Sequence, residues 1–207
     1  MADVAIIDCG IGNLKSVFKA FEHAAPDLDI IVTSSPAVVE SARKVVLPGV
    51  GAMGGGMEGL YRLGLLEAVL QAAQKKPFMG ICLGMQMLFE ESEEGSCKGL
   101  GLIPGRAVHF SRALNPPRKI PLIGWTEVLW VKNHPLVQNL PNPAWFYFVH
   151  SYYVMTEERD AVLGQSDYGI RFTSAVCKDN IVGVQFHPEK SQAMGLHFLT
   201  NFCTWNP

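Results

Sequence analysis

Pro77-Phe78-Met79-Gly80-Ile81-Cys82-Leu83-Gly84-Met85-Gln86 is the stretch from which the fold is read. Pro77 opens a short apolar run through Ile81, which predicts a buried strand. Met87 and Leu88 follow Leu83 at helical spacing, which predicts a helix over Leu83 to Glu91. Cys82 stands at the junction. A glycine two residues before it and another two after match a nucleophile elbow, a strand-to-helix turn so tight that its neighbours must lack bulk. Such a turn pushes the central side chain into the open. A thiol at the start of a helix is favoured as thiolate, and the Leu83 N–H beside it would be free to bind an oxyanion. The competing reading is a packed core cysteine, and the paired glycines weigh against it.

Outward from the elbow, strand and helix alternate. Val4-Ala5-Ile6-Ile7 is a continuous apolar run, as in strands buried on both faces. Asn13 can cap a helix with Leu14, Val17, Phe18 and Phe21 on one stripe. Ile30 to Thr33 reads as a second strand, Pro36 starts a short helix to about Arg43, and Lys44 to Leu47 reads as a third strand. Met57 to Lys75 has apolar residues at helical spacing. This alternation predicts an α/β fold with a doubly wound, mostly parallel sheet. After Gly95 the segments become short and extended, among them Trp125 to Val131, Trp145 to Val149, and Phe172 to Cys177 joined to Ile181 to Phe186 through Lys178-Asp179-Asn180. Antiparallel strands are therefore expected in the C-terminal half. Ser191 is placed to cap a last helix with Met194, Phe198, Leu199 and Phe202 on one face.

With 207 residues, one domain over 1–207 is expected. The net charge of −2 argues against nucleic acid or an anionic membrane as partner. Five cysteines, none in a Cys-x-x-Cys pair, suit a reducing cytoplasm and fit neither a disulfide framework nor a metal site. Asp3 and Asp8 flank the first apolar run, so it does not read as a signal peptide.

A thiolate nucleophile needs a base, and the base needs an orienting group. Of the six histidines, His23 falls off its helix's apolar stripe, His109 and His197 lack acidic neighbours, and His134-Pro135 reads as a turn. His150 is ambiguous. His187 ends the strand Val182-Gly183-Val184-Gln185-Phe186 and precedes Pro188-Glu189. Proline keeps His187 extended, so Glu189 points the same way and can fix the imidazole. Leu47-Pro48-Gly49-Val50-Gly51 follows the third strand, on the sheet edge where ligands gather, and its backbone could supply a second oxyanion donor. Gly49-Val50-Gly51-Ala52-Met53-Gly54 also matches a dinucleotide fingerprint, but no acidic residue ends the next strand.

Gly80 to Gln86 together with a late His187-Pro188-Glu189 resembles the class I glutamine amidotransferases, whose fold is flavodoxin-like. Leu47 to Gly51, Gly124-Trp125, Tyr147 to Tyr152 and Gln185 to Ser191 resemble, within that family, the glutaminase subunits of histidine biosynthesis. Anthranilate and aminodeoxychorismate synthase subunits usually have His where this chain has Met85. The resemblance implies a triad of Cys82, His187 and Glu189, an oxyanion site at Val50, Gly51 and Leu83, and glutamine contacts at Gly49, Gln86, Glu94, Ser151 and Tyr152, with Tyr153 a rival for the last place. It implies no cofactor and, as partner, a cyclase with a (β/α)₈ barrel forming a heterodimer through Asn13, Trp125 and Lys190. Leu122, Ile123 and Thr126 depart from the Pro-His-Met-Gly-Trp-Asn usual around that tryptophan. Trp130, Trp145 and Phe146 are expected in the core. The non-enzymatic alternative is a flavodoxin-like binding module with a vestigial elbow.

Overall fold

A computed structural model describes residues 1–114, 116 and 118–207. In chain order its first half holds β1 (Val4–Ile7), α1 (Leu14–Ala24), β2 (Ile30–Thr33), α2 (Pro36–Ser41), β3 (Lys44–Gly49), α3 (Met53–Arg62), α4 (Leu66–Lys75), β4 (Phe78–Cys82) and α5 (Leu83–Met87). The strands β5 (Phe89–Ser92), β6 (Cys97–Lys98), β7 (Ile103–His109), β8 (Leu122–Trp130), β9 (Ala144–His150) and β10 (Tyr152–Met155) follow. Then come β11 (Val162–Asp167), β12 (Arg171–Lys178), β13 (Ile181–Val184) and α6 (Gln192–Thr204).

Strands β2, β1, β3, β4 and β13 lie side by side and all parallel. Beyond β13 the sheet turns antiparallel through β12, β10 and β7. The long hairpin of β8 and β9 is tied back by β11. This is the mostly parallel, doubly wound α/β sheet with added antiparallel strands that the sequence pattern predicts.

Alternation along the strands builds a core on each face. Val4, Ile6, Val46, Met79 and Ile81 face a layer that includes Phe21 of α1 and Phe198 and Phe202 of α6. Ile7, Val45, Leu47 and Phe78 face Leu60 of α3 and Val69 of α4. An aromatic cluster then fixes β8 and β9 against α6: Phe146 stacks on Phe186 at 4.0 Å and meets Phe198 edge-on at 6.4 Å, and Trp130 stacks on Phe198 at 6.2 Å. Asn13 caps α1, its side-chain oxygen accepting from the Ser16 N–H at 3.3 Å.

Four expectations need correction. The helix expected over Met57 to Lys75 starts earlier, at Met53, and is broken into two at Gly64, whose φ of +65° suits glycine. The helix expected to reach Glu91 stops at Met87. Its remainder becomes β5, because Leu88 and Phe89 are both fully buried and Phe89 pairs with Ile103. Ser191 precedes α6 but makes no capping bond. Trp145 is 51% exposed, whereas Trp130 and Phe146 are buried as expected. In a strand, neighbours point to opposite faces, so Trp145 and Phe146 cannot share one core. Trp145→Ala should therefore change stability by less than about 0.5 kcal/mol, where Trp130→Ala costs about 3–5 kcal/mol in chemical denaturation.

Candidate active site

The parallel register brings three strand ends together. Gly49 of β3 pairs with Cys82 of β4, and Val184 of β13 pairs with Ile81. The loop after β3, the elbow after β4 and the chain leading to His187 thus emerge at one lip of the sheet.

The elbow is as tight as its glycines predict. Cys82 has φ of +54° and ψ of −107°, a conformation that L-residues rarely hold without surrounding constraint. A Cβ at Gly80 would stand 2.5 Å from the Gly84 carbonyl oxygen, and one at Gly84 would stand 1.8 Å from that of Leu47. Cys82 is nearly buried, and its sulfur faces the Val149 carbonyl at 4.0 Å.

His187 Nδ1 meets Glu189 Oε1 at 2.8 Å, with both side chains only 3% exposed. His187 is extended as expected before proline, but Pro188 opens a 3-10 turn through Lys190, and that turn rather than continued extended chain brings Glu189 onto the imidazole. The backbone of His187 is clamped as well: its N–H donates to the Tyr147 carbonyl at 2.9 Å. Ser191 Oγ donates to the His187 carbonyl at 2.6 Å and accepts the Tyr147 N–H at 3.0 Å. That clamp is what Ser191 does in place of capping α6. Ser191→Ala should cost about 1–3 kcal/mol, since it leaves the Tyr147 N–H without its partner and the His187 carbonyl with the Lys190 N–H alone, and thermal unfolding would register it.

Burial pushes the His187 imidazole down, but the Cys82 sulfur and the Glu189 carboxylate outweigh it and hold the pKa up at about 10. Nδ1 is taken by Glu189, and Nε2 is buried without a hydrogen bond among the described residues. Nε2 is thus the nitrogen left to exchange a proton with the thiol or its substrate. Because the folded value is raised, this group's stabilisation is complete below the ordinary value of 6.5 and is lost as pH rises through about 10. His187→Asn should therefore lessen the fall in denaturation midpoint across that window. Equal slopes in variant and wild type would contradict this ion-pairing role.

A cavity of about 460 Å³ opens over the elbow. Val50, Gly51, Cys82 and Leu83 line it together with Gln86, Glu94, Ser151 and Tyr152. Gly49, expected among the glutamine contacts, is buried at the end of β3 against Leu83 and is not part of the lining. Tyr153 instead packs on Phe110 at 4.9 Å, in the interior. Among the described residues no group of three or more His, Cys, Asp or Glu could hold a metal ion, and no helix is long and apolar enough to cross a membrane.

A cysteine at a strand-to-helix elbow on this fold has close relatives. Residues 5–205 match the family described as Glutamine amidotransferase class-I. The chain belongs to this family. As a class I glutamine amidotransferase it is an enzyme of known general chemistry, the release of ammonia from glutamine. It is 53% identical to the imidazole glycerol phosphate synthase subunit HisH of Aromatoleum aromaticum and 52% identical to that of Nitrosospira multiformis, each over the whole of both chains. A crystal structure of a glutamine amidotransferase shares its fold with a TM-score of 0.73 at 16% identity, covering 97% of this chain and 98% of the other. A putative GMP synthase protein from Thermoplasma acidophilum does so with a TM-score of 0.70 at 17% identity, covering 98% and 92%.

The residues expected at a partner face are partly gathered. Trp125 meets the Tyr147 ring edge-on at 6.1 Å, and Lys190 Nζ lies 5.8 Å over the same ring. Asn13 is exposed at the start of α1, where its side chain serves as the cap. Sequence reasoning missed Gln185 and left His150 undecided. His150 lines the amidotransferase cavity, with Nδ1 held by the Tyr152 carbonyl at 2.7 Å. Burial pushes its pKa down to about 4, so it stays neutral beside His187. The signal for Gln185 was a polar residue inside an apolar strand.

Proposed function

We propose that the chain is the glutaminase subunit of an imidazole glycerol phosphate synthase, a single amidotransferase domain over 1–207 acting in the cytoplasm without a cofactor. The observation that carries this reading is Cys82 in the wall of an amino-acid-sized cavity, with the buried His187–Glu189 pair near enough that the Cys82 sulfur helps to raise the imidazole pKa. Full-length relatives at about half identity supply the choice of synthase.

In this reading the Cys82 thiolate attacks the side-chain carbonyl of glutamine. The N–H groups of Leu83 and of the Val50-Gly51 segment hold the oxyanion. His187 passes its proton from Nε2 to the departing nitrogen, giving ammonia and a γ-glutamyl thioester. Water then yields a proton to His187 and attacks the thioester, releasing glutamate and restoring the thiolate. Glu189 holds the imidazole in the required tautomer throughout. Gln86, Glu94, Ser151 and Tyr152 hold the amino-acid head, where the Glu94 carboxylate suits the ammonium group. Ammonia passes to a (β/α)₈-barrel cyclase in a heterodimer, which docks on the face carrying Trp125 and Lys190, with Asn13 at its margin. The cyclase forms imidazole glycerol phosphate and an aminoimidazole carboxamide ribotide.

The deciding experiment mixes the purified chain with the cyclase subunit of its own source and the cyclase's nucleotide substrate. Glutamine should then support imidazole glycerol phosphate formation, with one glutamate released per product. Val50 is exposed and Gly51 has φ of +95°, so the oxyanion segment is open to rearrangement. The isolated chain should accordingly turn glutamine over far more slowly than the complex. A cyclase that works with ammonium salts but never with glutamine and this chain would overturn the assignment.

A further inference from the structure

We propose that Gln185 is a positioning residue for the Cys82 nucleophile, and that Gln86 sets the direction in which its amide points. The inference rests on the reading of Cys82 as the nucleophile and goes beyond it to what tunes the sulfur.

Gln185 follows Val184, whose Cα pairs with Ile81, so it stands level with Cys82 on the neighbouring strand. Its side chain is fully buried, an expensive place for an amide without hydrogen bonds. The amide is in fact bonded, and its orientation follows from the chemistry of the partners. Gln86 lies 3.2 Å from the Tyr152 carbonyl oxygen, which can only accept, so the Gln86 atom there is the NH₂ group. The same NH₂ lies 3.1 Å from Gln185, and its second hydrogen requires an acceptor. The Gln185 atom facing it is therefore Oε1, which turns Gln185 Nε2 toward the Cys82 sulfur at 3.7 Å. The backbone N–H of Gln185 is spent on the Ser174 carbonyl at 2.9 Å, so the strand itself cannot shift to break the relay.

An N–H aimed at sulfur favours thiolate over thiol and holds the sulfur in one rotamer. Neither bond uses Gln86 Oε1, and Gln86 lines the cavity. A ligand gripping Gln86 therefore acts on the same chain of amides that ends at the nucleophile. Substrate recognition and sulfur orientation share one network across 103 residues of sequence.

The test is the pH profile of Cys82 alkylation by iodoacetamide on the full chain, with the Cys82→Ala protein giving the background from the other cysteines. Gln185→Met keeps length and removes the donor. It should move the alkylation midpoint up by about one pH unit and, in the complex, lower kcat about 10-fold with KM little changed. Gln185→Glu, which puts an acceptor and a charge against sulfur, should move the midpoint further up. Gln86→Leu should move it in the same direction, because Gln185 loses the group that orients it. Should the Gln185 variants fail to fold, the Gln86→Leu profile decides by itself. Midpoints identical to wild type in folded variants overturn the proposal. If that happens while wild type still hydrolyses glutamine, the relay alone falls; a wild type without glutaminase activity would instead count against the function proposed above.

Discussion

Cys82→Ala should abolish glutamine-dependent synthesis, by a factor of about 10⁴ or more, while the complex continues to work with ammonium salts. The size of the loss follows from what remains. Without sulfur there is no thioester route, and His187 with the oxyanion donors could only assist direct attack by water on an unactivated amide. Retention of the ammonia-driven reaction is expected because, in the proposed complex, the cyclase chemistry lies in the partner and the substitution removes one buried atom without demanding space. The strained φ of +54° at this position belongs to the turn and persists with alanine. Parallel assays of glutamate release and of ammonium-dependent product formation check both halves. Equal loss in the two assays would mean that the substitution damages the complex itself, and Cys82 would lose its assigned role.

Gly84→Ala destabilises the fold by about 3–5 kcal/mol, a large share of the 5–15 kcal/mol typical of a domain. The new Cβ would sit 1.8 Å from the Leu47 carbonyl oxygen, backbone that belongs to the central strand β3. Relief requires parting β3 from α5, which would open the packing on which the elbow depends. Gly55→Ala supplies the control. It lies inside α3 with nothing within 4 Å of its added Cβ, so alanine there should stabilise by about 0.5–1 kcal/mol through helix propensity. Opposite shifts of the denaturation midpoint in the two variants are the expected result. A Gly84→Ala protein as stable as wild type would show that the elbow is not under the steric control described.

The two predictions draw on features that differ in how far they could be seen from residues alone. Gly80, Cys82 and Gly84 carry the elbow in five consecutive positions, because its steric demand is local. His187 and Glu189 were readable together because they lie two residues apart, although the 3-10 turn from Pro188 that joins them was not. The strands β1 and β2 were legible to the residue, since uninterrupted apolar runs have little else to become in a parallel sheet. Errors gathered where a local pattern was ambiguous. Phe89 satisfies either period, and its pairing with Ile103 settled it as sheet, leaving Leu88 as the turn between α5 and β5. Trp145 was misplaced because hydrophobicity alone does not say which face of a strand is inward.

By itself, the sequence determined the alternation of strand and helix, the tight turn at Cys82 and the imidazole–carboxylate pair at its other end. Only the tertiary structure decided that β13 lies beside β4, that Ser191 clamps the His187 backbone, and that the Gln86 amide reaches the sulfur through that of Gln185. The reason is physical. Steric limits and periodicity act within a few residues and leave their mark there, whereas the choice of strand neighbours is made by burial summed over the whole sheet, which no short window of residues contains.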